Sequence, residues 1–271
     1  MDWSKSKSIF IFVFLILDIF LYSLYLNRLT EAQKVEVLGE KTIEARLNDD
    51  NITLNTFPIV ETAPYLSGSV KKFEEEDINL FNDESVSVEN ESKLVVTLQE
   101  PIAIKNINSP TSYEDFIQAY VFEGTSYTLW DIDENTRTAT FFQRVNDRTI
   151  YYNKNGEVKV YLNSDNEIYM YEQTLLEDFE VYEEENLLTP IQIVQILYSR
   201  GLLKPDSQIT QVKLGYSTLV QLTQTQVFVP TWEIKVTSAD GEEEEYFANA
   251  IEGQVIDLKL DHTNVEVEDR E

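Results

Sequence analysis

The sequence predicts an α+β protein with one N-terminal transmembrane helix, followed by two consecutive domains of antiparallel sheet, each packed by a helix. Three observations predict this fold class. A long apolar run lies near the N-terminus. After it come segments in which apolar and polar residues alternate, as in half-buried strands. The order of strands, helix and strands also occurs twice, which is typical of sheets covered by a helix.

The apolar run covers residues 8–26, SIFIFVFLILDIFLYSLYL. As a helix it would extend about 28 Å, close to the thickness of a bilayer core. No small-residue cleavage site follows directly, so we expect an uncleaved anchor. Because the tail of residues 1–7 is short and long hydrophilic domains translocate largely regardless of charge, we expect a single-pass protein of the cell membrane. Its N-terminus would be cytoplasmic and its C-terminal domains extracytoplasmic.

Asp18 lies near the middle of this span, where a charged carboxylate is costly. Two interpretations are open: the segment is apolar enough to tolerate a neutral Asp18, or Asp18 forms a hydrogen bond across a helix–helix contact. The second is favoured, because ionisable residues within a membrane generally face a partner. Helical geometry places the predicted interaction residues around Asp18, with Phe14 and Tyr22 the main ones and Phe12, Leu15 and Tyr25 secondary.

The rest of the chain divides into a stalk, two domains and a tail, because the same order of elements occurs twice. Good helix formers predict a juxtamembrane stalk helix over residues 27–48. We expect an extracytoplasmic α+β domain over residues 49–153 and a second over residues 154–261. The last ten residues, 262–271, are predicted to be an acidic tail.

Each predicted domain contains one helix with recognisable ends. The first begins at Ser112 and ends before Gly124. The second has Thr189 as its N-cap, Pro190 at its first helical position and Gly201 as its stop. Strands are predicted on both sides of each helix, for example TATFFQRV before the boundary and EVKVYLN after it.

Composition excludes several functions. The net charge of −28 makes nucleic-acid binding unfavourable, since phosphate backbones would be repelled. No cysteine is present, and the single histidine, His262, lies in the predicted tail, so thiolate chemistry, a buried triad histidine and a zinc site of His and Cys are not expected. The string Asp131 to Asn135 resembles a calcium loop but lacks its glycine and glutamate, and we interpret it as a solvated turn between helix and strand. We therefore predict no catalytic residue, metal or cofactor.

Five segments together resemble the YycI (WalI) family: MDWSKSKSIFIFVFLILDIFL, TPIQIVQILYSRGLL, VKLGY, PTWEI and YFANAIEGQV. They cover the anchor and most of the second predicted domain, whereas the middle of the chain matches by layout. The resemblance implies a bitopic accessory protein without catalytic residues. It also implies association, mainly through transmembrane helices, with the sensor histidine kinase WalK (YycG) and with the sister protein YycH (WalH). Family members modulate the kinase, and hence WalR-controlled cell-wall metabolism, negatively in some species and positively in others.

Two hypotheses of function follow. In the first, the chain is a non-enzymatic regulator whose helix contacts a WalK-like kinase. In the second, it is a tethered extracytoplasmic module that binds a wall-derived or peptide ligand, and the helix is only an anchor. Exchanging the span for an unrelated apolar helix separates the two.

Overall fold

The computed structural model describes residues 13–23, 41–78, 85–218 and 224–258. The chain separates into two compact units, residues 1–46 and residues 47–271. In the first unit, residues 13–23 are helical and are named α1. Both sheets described below belong to the second unit.

Most of the described secondary-structure elements are strands. In chain order they are α2 (Ile43–Asp49), β1 (Thr53–Leu54), β2 (Thr62–Val70), α3 (Glu75–Ile78), β3 (Ser85–Glu89), β4 (Lys93–Ala103), α4 (Thr111–Tyr120), a 3₁₀ turn (Gly124–Ser126), β5 (Tyr127–Asp133), β6 (Thr138–Val145), β7 (Arg148–Thr149), β8 (Glu157–Leu162), β9 (Glu167–Gln173), β10 (Leu176–Asn186), α5 (Pro190–Ser199), β11 (Gln208–Ser217), β12 (Thr225–Thr237), β13 (Glu243–Asn249) and β14 (Val255–Ile256). The α+β class with two sheets is confirmed.

The two sheets are nested in the chain, not consecutive. One, here called the nested sheet, has the order β3-β4-β9-β8-β6-β5, with β7 on β6. The other, the flanking sheet, has the order β1-β11-β12-β13-β14, with β2 joining β12 to β10. All pairs are antiparallel except β1 with β11. The expectation of consecutive sheets is therefore wrong: β8 and β9 pair with strands before residue 153, and β2 pairs with strands after it.

The nested sheet is covered by α4. The helix turns Tyr113, Phe116 and Ile117 into a core with strand residues such as Leu94 and Tyr171. The Phe116 ring meets that of Tyr171 edge-on, with centroids 5.8 Å apart. The hydroxyl of Tyr171 also donates a hydrogen bond of 2.6 Å to the Tyr120 carbonyl at the end of the helix. Apolar alternation in the strands and helical spacing in α4 thus build one core, as predicted.

The second of the two predicted domain helices is α5, and it begins and ends where predicted. Thr189 is its N-cap, Pro190 its first residue, and the Gln192 side chain accepts a 2.8 Å hydrogen bond from the Thr189 backbone N–H. Gly201 follows the helix with a φ of +70°, the left-handed conformation that glycine adopts without strain. Just before α5, the Leu188 carbonyl accepts a 2.9 Å bond from the indole of Trp232 in β12.

Other predicted boundaries are met in part. The first of the two predicted domain helices is α4, which begins at Thr111 and ends at Tyr120, a few residues before Gly124. Of the predicted stalk, residues 41–48 lie in the described part of the chain, and α2 occupies Ile43–Asp49. The remainder of the stalk, the predicted tails and His262 lie outside the described residues.

Candidate functional site

The predicted interaction surface lies on α1. Asp18 is exposed, with Phe14 one turn before it and Tyr22 one turn after it. Phe14 is 61% exposed, and Leu15 and Tyr22 are each half exposed or more. The helix therefore places these four side chains on one broad face, whereas Phe12 and Tyr25 lie outside the described residues. Their role in binding a partner stays a prediction.

Within the described ranges, no helix is both long and apolar enough to cross a membrane.

A second candidate region lies where the two sheets meet, and we call it the junction. It is formed by the segment after β7 lying on β11. Ile150 and Tyr216 form a parallel bridge, and the Tyr151 N–H donates a 2.8 Å hydrogen bond to the Tyr216 carbonyl. A Cβ on Gly215 would come within 2.4 Å of the Thr149 carbonyl oxygen, so this close approach requires a glycine.

One side of the junction is held by the amide of Gln143, which is almost fully buried. Its Nε2 donates a 2.7 Å hydrogen bond to the Leu176 carbonyl, and its Oε1 accepts a 2.8 Å bond from the Leu176 N–H. A single side chain of β6 in the nested sheet therefore satisfies both backbone groups of the first residue of β10 in the flanking sheet.

The opposite side of the junction combines aromatic rings with charges. The ring of Trp130 packs against those of Phe142, Tyr151, Tyr152 and Phe247, with centroids 5.2–6.4 Å apart. Strand β5 supplies Trp130 and strand β13 supplies Phe247, so the cluster bridges both sheets. The rings of Phe142, Tyr151 and Phe247 are tilted relative to Trp130 and that of Tyr152 meets it edge-on, and edge-on contacts stabilise packing beyond the area they bury.

Glu233 of β12 contacts Tyr151 of this aromatic cluster and is 1% exposed. It accepts a 3.1 Å hydrogen bond from the Tyr151 hydroxyl and another of 3.1 Å from the Gln211 amide. The ammonium of Lys235 lies 3.4 Å from Glu233, 3.4 Å from Glu245 and 4.9 Å from the centre of the Trp130 ring. Glu233 is thus a buried carboxyl group with a hydrogen-bond partner on each oxygen.

These surroundings change the acidity of the groups. Burial raises the pKa of Glu233, and the nearby ammonium of Lys235 offsets only part of this increase. Burial lowers the pKa of Lys235, but the two carboxylates of Glu233 and Glu245 outweigh it and raise the pKa overall. Burial raises the pKa of Tyr151 well above its usual value, so its hydroxyl stays a donor to Glu233.

A second set of buried polar side chains, centred on Asn153, also belongs to the junction and reaches β12. The Asn153 side chain, fully buried, donates hydrogen bonds to Thr218 Oγ1 at 3.1 Å and to Gln226 Oε1 at 2.5 Å. Buried amides need such partners, because an unpaired polar group inside a protein is costly. Asn153 marked the predicted domain boundary; in the structure it is a buried contact of the junction.

The described residues contain no group of three or more His, Asp or Glu side chains placed to hold a metal ion. In the calcium-like string, Asp133 accepts hydrogen bonds from the N–H groups of Asn135 and Thr136, at 2.8 and 3.3 Å. The prediction of a solvated turn is met in part: residues 131–133 end strand β5, and Glu134 and Asn135 lie in an exposed turn that connects β5 to β6 and not a helix to a strand.

The sequence reasoning missed the junction. Its polar members, among them Gln143 and Glu233, lie next to large apolar residues in their strands, and this was the signal available. A polar side chain on the buried side of a strand needs a partner from another element. The sequence does not say which element supplies it.

The fold and the exposed helix define a class: an α+β protein of two sheets joined by a buried polar junction, with an apolar helix before them. The YycI protein family model matches residues 32–251, well over half of the chain. The chain belongs to the YycI family, a family of regulatory accessory proteins, which indicates a role in the WalK (YycG) two-component system.

Two solved structures show limited likeness. An uncharacterized protein from Eubacterium rectale ATCC 33656 has 11% identity and a TM-score of 0.48, covering 86% of this chain and 98% of that one. The C-terminal domain of Bacillus megaterium YpeB has 13% identity and a TM-score of 0.36, covering 70% of this chain and 87% of that one. No curated protein matches the sequence.

Proposed function

We propose that this chain is a membrane-anchored, non-enzymatic regulator that modulates a WalK-like sensor histidine kinase through contacts of its N-terminal helix. A YycH-like sister protein acts with it, and the two sheets lie outside the cytoplasm. Membership of the YycI family supports the role in the kinase system. The observation that carries the proposal further is the exposed, apolar face of α1 with a carboxyl group at its centre.

In this mechanism, Asp18 forms a hydrogen bond with a polar group of a neighbouring helix, and Phe14 and Tyr22 pack beside it. Burial in lipid disfavours a lone charged carboxylate, so a partner that satisfies Asp18 stabilises the helix pair. If the helix binds one arrangement of the kinase helices more tightly than another by about 1–3 kcal/mol, the equilibrium constant between the two arrangements changes by about 5- to 150-fold, and kinase activity follows that shift.

Co-purification of the full chain with the kinase, at matched expression, tests this contact. We expect Asp18→Leu to release the kinase, because leucine cannot form the hydrogen bond, and Asp18→Asn to retain it. Phe14→Ala should weaken capture, whereas the same change at Phe20 should not, since Phe20 points to the opposite side of α1. Equal capture by Asp18→Leu and wild type would remove Asp18 from the contact.

The second hypothesis, a tethered binding module, predicts a different result. Residues 8–26 are exchanged for an unrelated apolar helix of the same length, and kinase output is measured in cells. Lost regulation supports the helix-contact regulator. Retained regulation shows that the helix serves only as an anchor and moves the function to the two sheets.

A further inference from the structure

Strand β10 forms an edge of the flanking sheet. Its one strand partner among the described residues is β2. With 11 residues, β10 is the second-longest strand that the structure describes, together with β4. The edge facing away from β2 presents backbone N–H and C=O groups, which are a template for another strand.

The second half of β10 is exposed on both of its faces. All seven residues from 180 to 186 are exposed. The consecutive residues Val181 and Tyr182 are 63% and 52% exposed, and they project to opposite faces because side chains alternate along a strand. Two large apolar side chains thus flank the edge, one on each face.

The apolar surface continues onto β12. Val227 of β12 lies opposite Ser67 of β2 and is 53% exposed. The hydroxyl of Tyr182 reaches the same Ser67, at 3.3 Å from its Oγ. Val227 and Tyr182 therefore lie on one face, on either side of Ser67, and form an apolar strip next to the edge.

Charge limits what can pair with this edge. The exposed half of β10 has the sequence EVYEEEN, with four glutamates among seven residues. Two bulges, between Glu177 and Glu180 and between Val181 and Glu184, also twist the strand. Like charges opposite each other destabilise a strand pair, so a second copy of β10 would be repelled, whereas lysines and arginines would be attracted.

We propose that β10 binds an extended segment of a partner protein rich in lysine and arginine, which adds to the flanking sheet as a further strand. Main-chain hydrogen bonds hold the segment in register, its basic side chains lie beside the glutamates, and its apolar side chains cover Val181 or the Tyr182–Val227 strip. This site lies in the second compact unit and does not depend on the helix contact proposed above.

The probe is a fluorescent nine-residue peptide of alternating lysine and valine, titrated into the full chain in an uncharged detergent and followed by anisotropy. We expect saturable binding, together with slower amide hydrogen exchange in residues 177–186. The same peptide N-methylated at its central residues keeps its charge but cannot form strand hydrogen bonds, and we expect it to bind at least tenfold more weakly.

Charge-reversal variants locate the site. Glu180→Lys combined with Glu183→Lys should weaken binding at least tenfold, since both residues lie on the exposed edge. Glu75→Lys with Glu76→Lys makes the same change of charge on the exposed helix α3 and should change binding less than twofold. Asp18→Leu should leave peptide binding unchanged, which separates this inference from the proposed helix contact.

Three results would overturn the proposal. Equal binding of the N-methylated peptide would mean attraction by net charge alone. Equal losses in the two charge-reversal variants would place the peptide elsewhere. Absence of binding, with β10 exchanging its amides equally with and without peptide, would show that the edge pairs with no basic strand.

Discussion

The core of the nested sheet and the junction between the sheets are both buried, but they are stabilised differently. The core is apolar, with Leu94, Val96 and Phe141 packed under α4. The junction instead buries Gln143, Asn153 and Glu233, each with hydrogen-bond partners on another strand or loop. Apolar burial is non-directional, whereas a buried polar group stabilises only the arrangement that satisfies it. The core therefore makes the nested sheet stable, and the junction fixes which strands of the two sheets meet.

The largest effect is expected in the core. Leu94→Ala should lower the free energy of unfolding by about 2–5 kcal/mol, since Leu94 is fully buried and its removal leaves a cavity under α4. Denaturant unfolding, followed by circular dichroism, measures the change. Val181→Ala, at an exposed position of β10, is the control and should stay within about 0.5 kcal/mol of wild type.

A smaller effect, of another kind, is expected at the junction. Gln143→Leu should destabilise the fold by about 2–3 kcal/mol, because the Leu176 N–H and C=O lose their partners while the volume of the side chain is nearly kept. Denaturant unfolding measures this loss, and hydrogen exchange at Leu176 reports whether the amide opens.

Gln143→Glu is a second test of the hydrogen bonds at the junction. Glutamate still accepts from the Leu176 N–H but cannot donate to the Leu176 carbonyl when ionised. If the junction depends on hydrogen bonds, both variants are destabilised although the side-chain volume is almost unchanged. Wild-type stability in both variants would mean that packing alone holds the sheets together.

The same contrast explains what the sequence could predict. Strands such as β4 and β8 bury every second residue, and α4 and α5 have helical spacing and recognisable ends, so local pattern locates them. These elements build the core of the nested sheet and place α5. Local patterning was sufficient because each of these elements buries one continuous face.

Two of the strands that the sequence analysis did not identify, β2 and β10, change the order of the sheets. Strand β2, TAPYLSGSV, contains a proline, a glycine and three serine or threonine residues, and strand β10, LEDFEVYEEEN, is mostly acidic. Neither has the alternation of a half-buried strand, because β10 is an edge and β2 lies beside it. Without them, the nested arrangement could not be predicted.

The junction was missed for a related reason. Glu233 lies in the segment TWEIKV between two apolar residues, so the alternating pattern predicts that it is exposed. It is buried because the aromatic cluster, from another part of the chain, covers that face of β12. Which face of a strand is covered depends on long-range contacts, so the sequence pattern alone gives no partner for it.

The smallest expected effect concerns the pH dependence of stability at the junction. Burial raises the pKa of Glu233 in the folded chain above its usual 4.5, so the folded state holds this proton more tightly than the unfolded state does. The contribution of Glu233 to stability is therefore fully present below about pH 4.5 and is lost as the pH rises through the folded pKa. Glu233→Gln removes this titration. The stability of wild type relative to the variant should therefore fall between about pH 4 and pH 7.5. The expected fall is about 1.4 kcal/mol for each unit by which the pKa of Glu233 in the folded chain exceeds its pKa in the unfolded chain. Denaturant midpoints of wild type and variant at several pH values measure this. A relative stability that instead rises with pH would mean that Lys235 outweighs burial and that the junction holds Glu233 as a favourable ion pair.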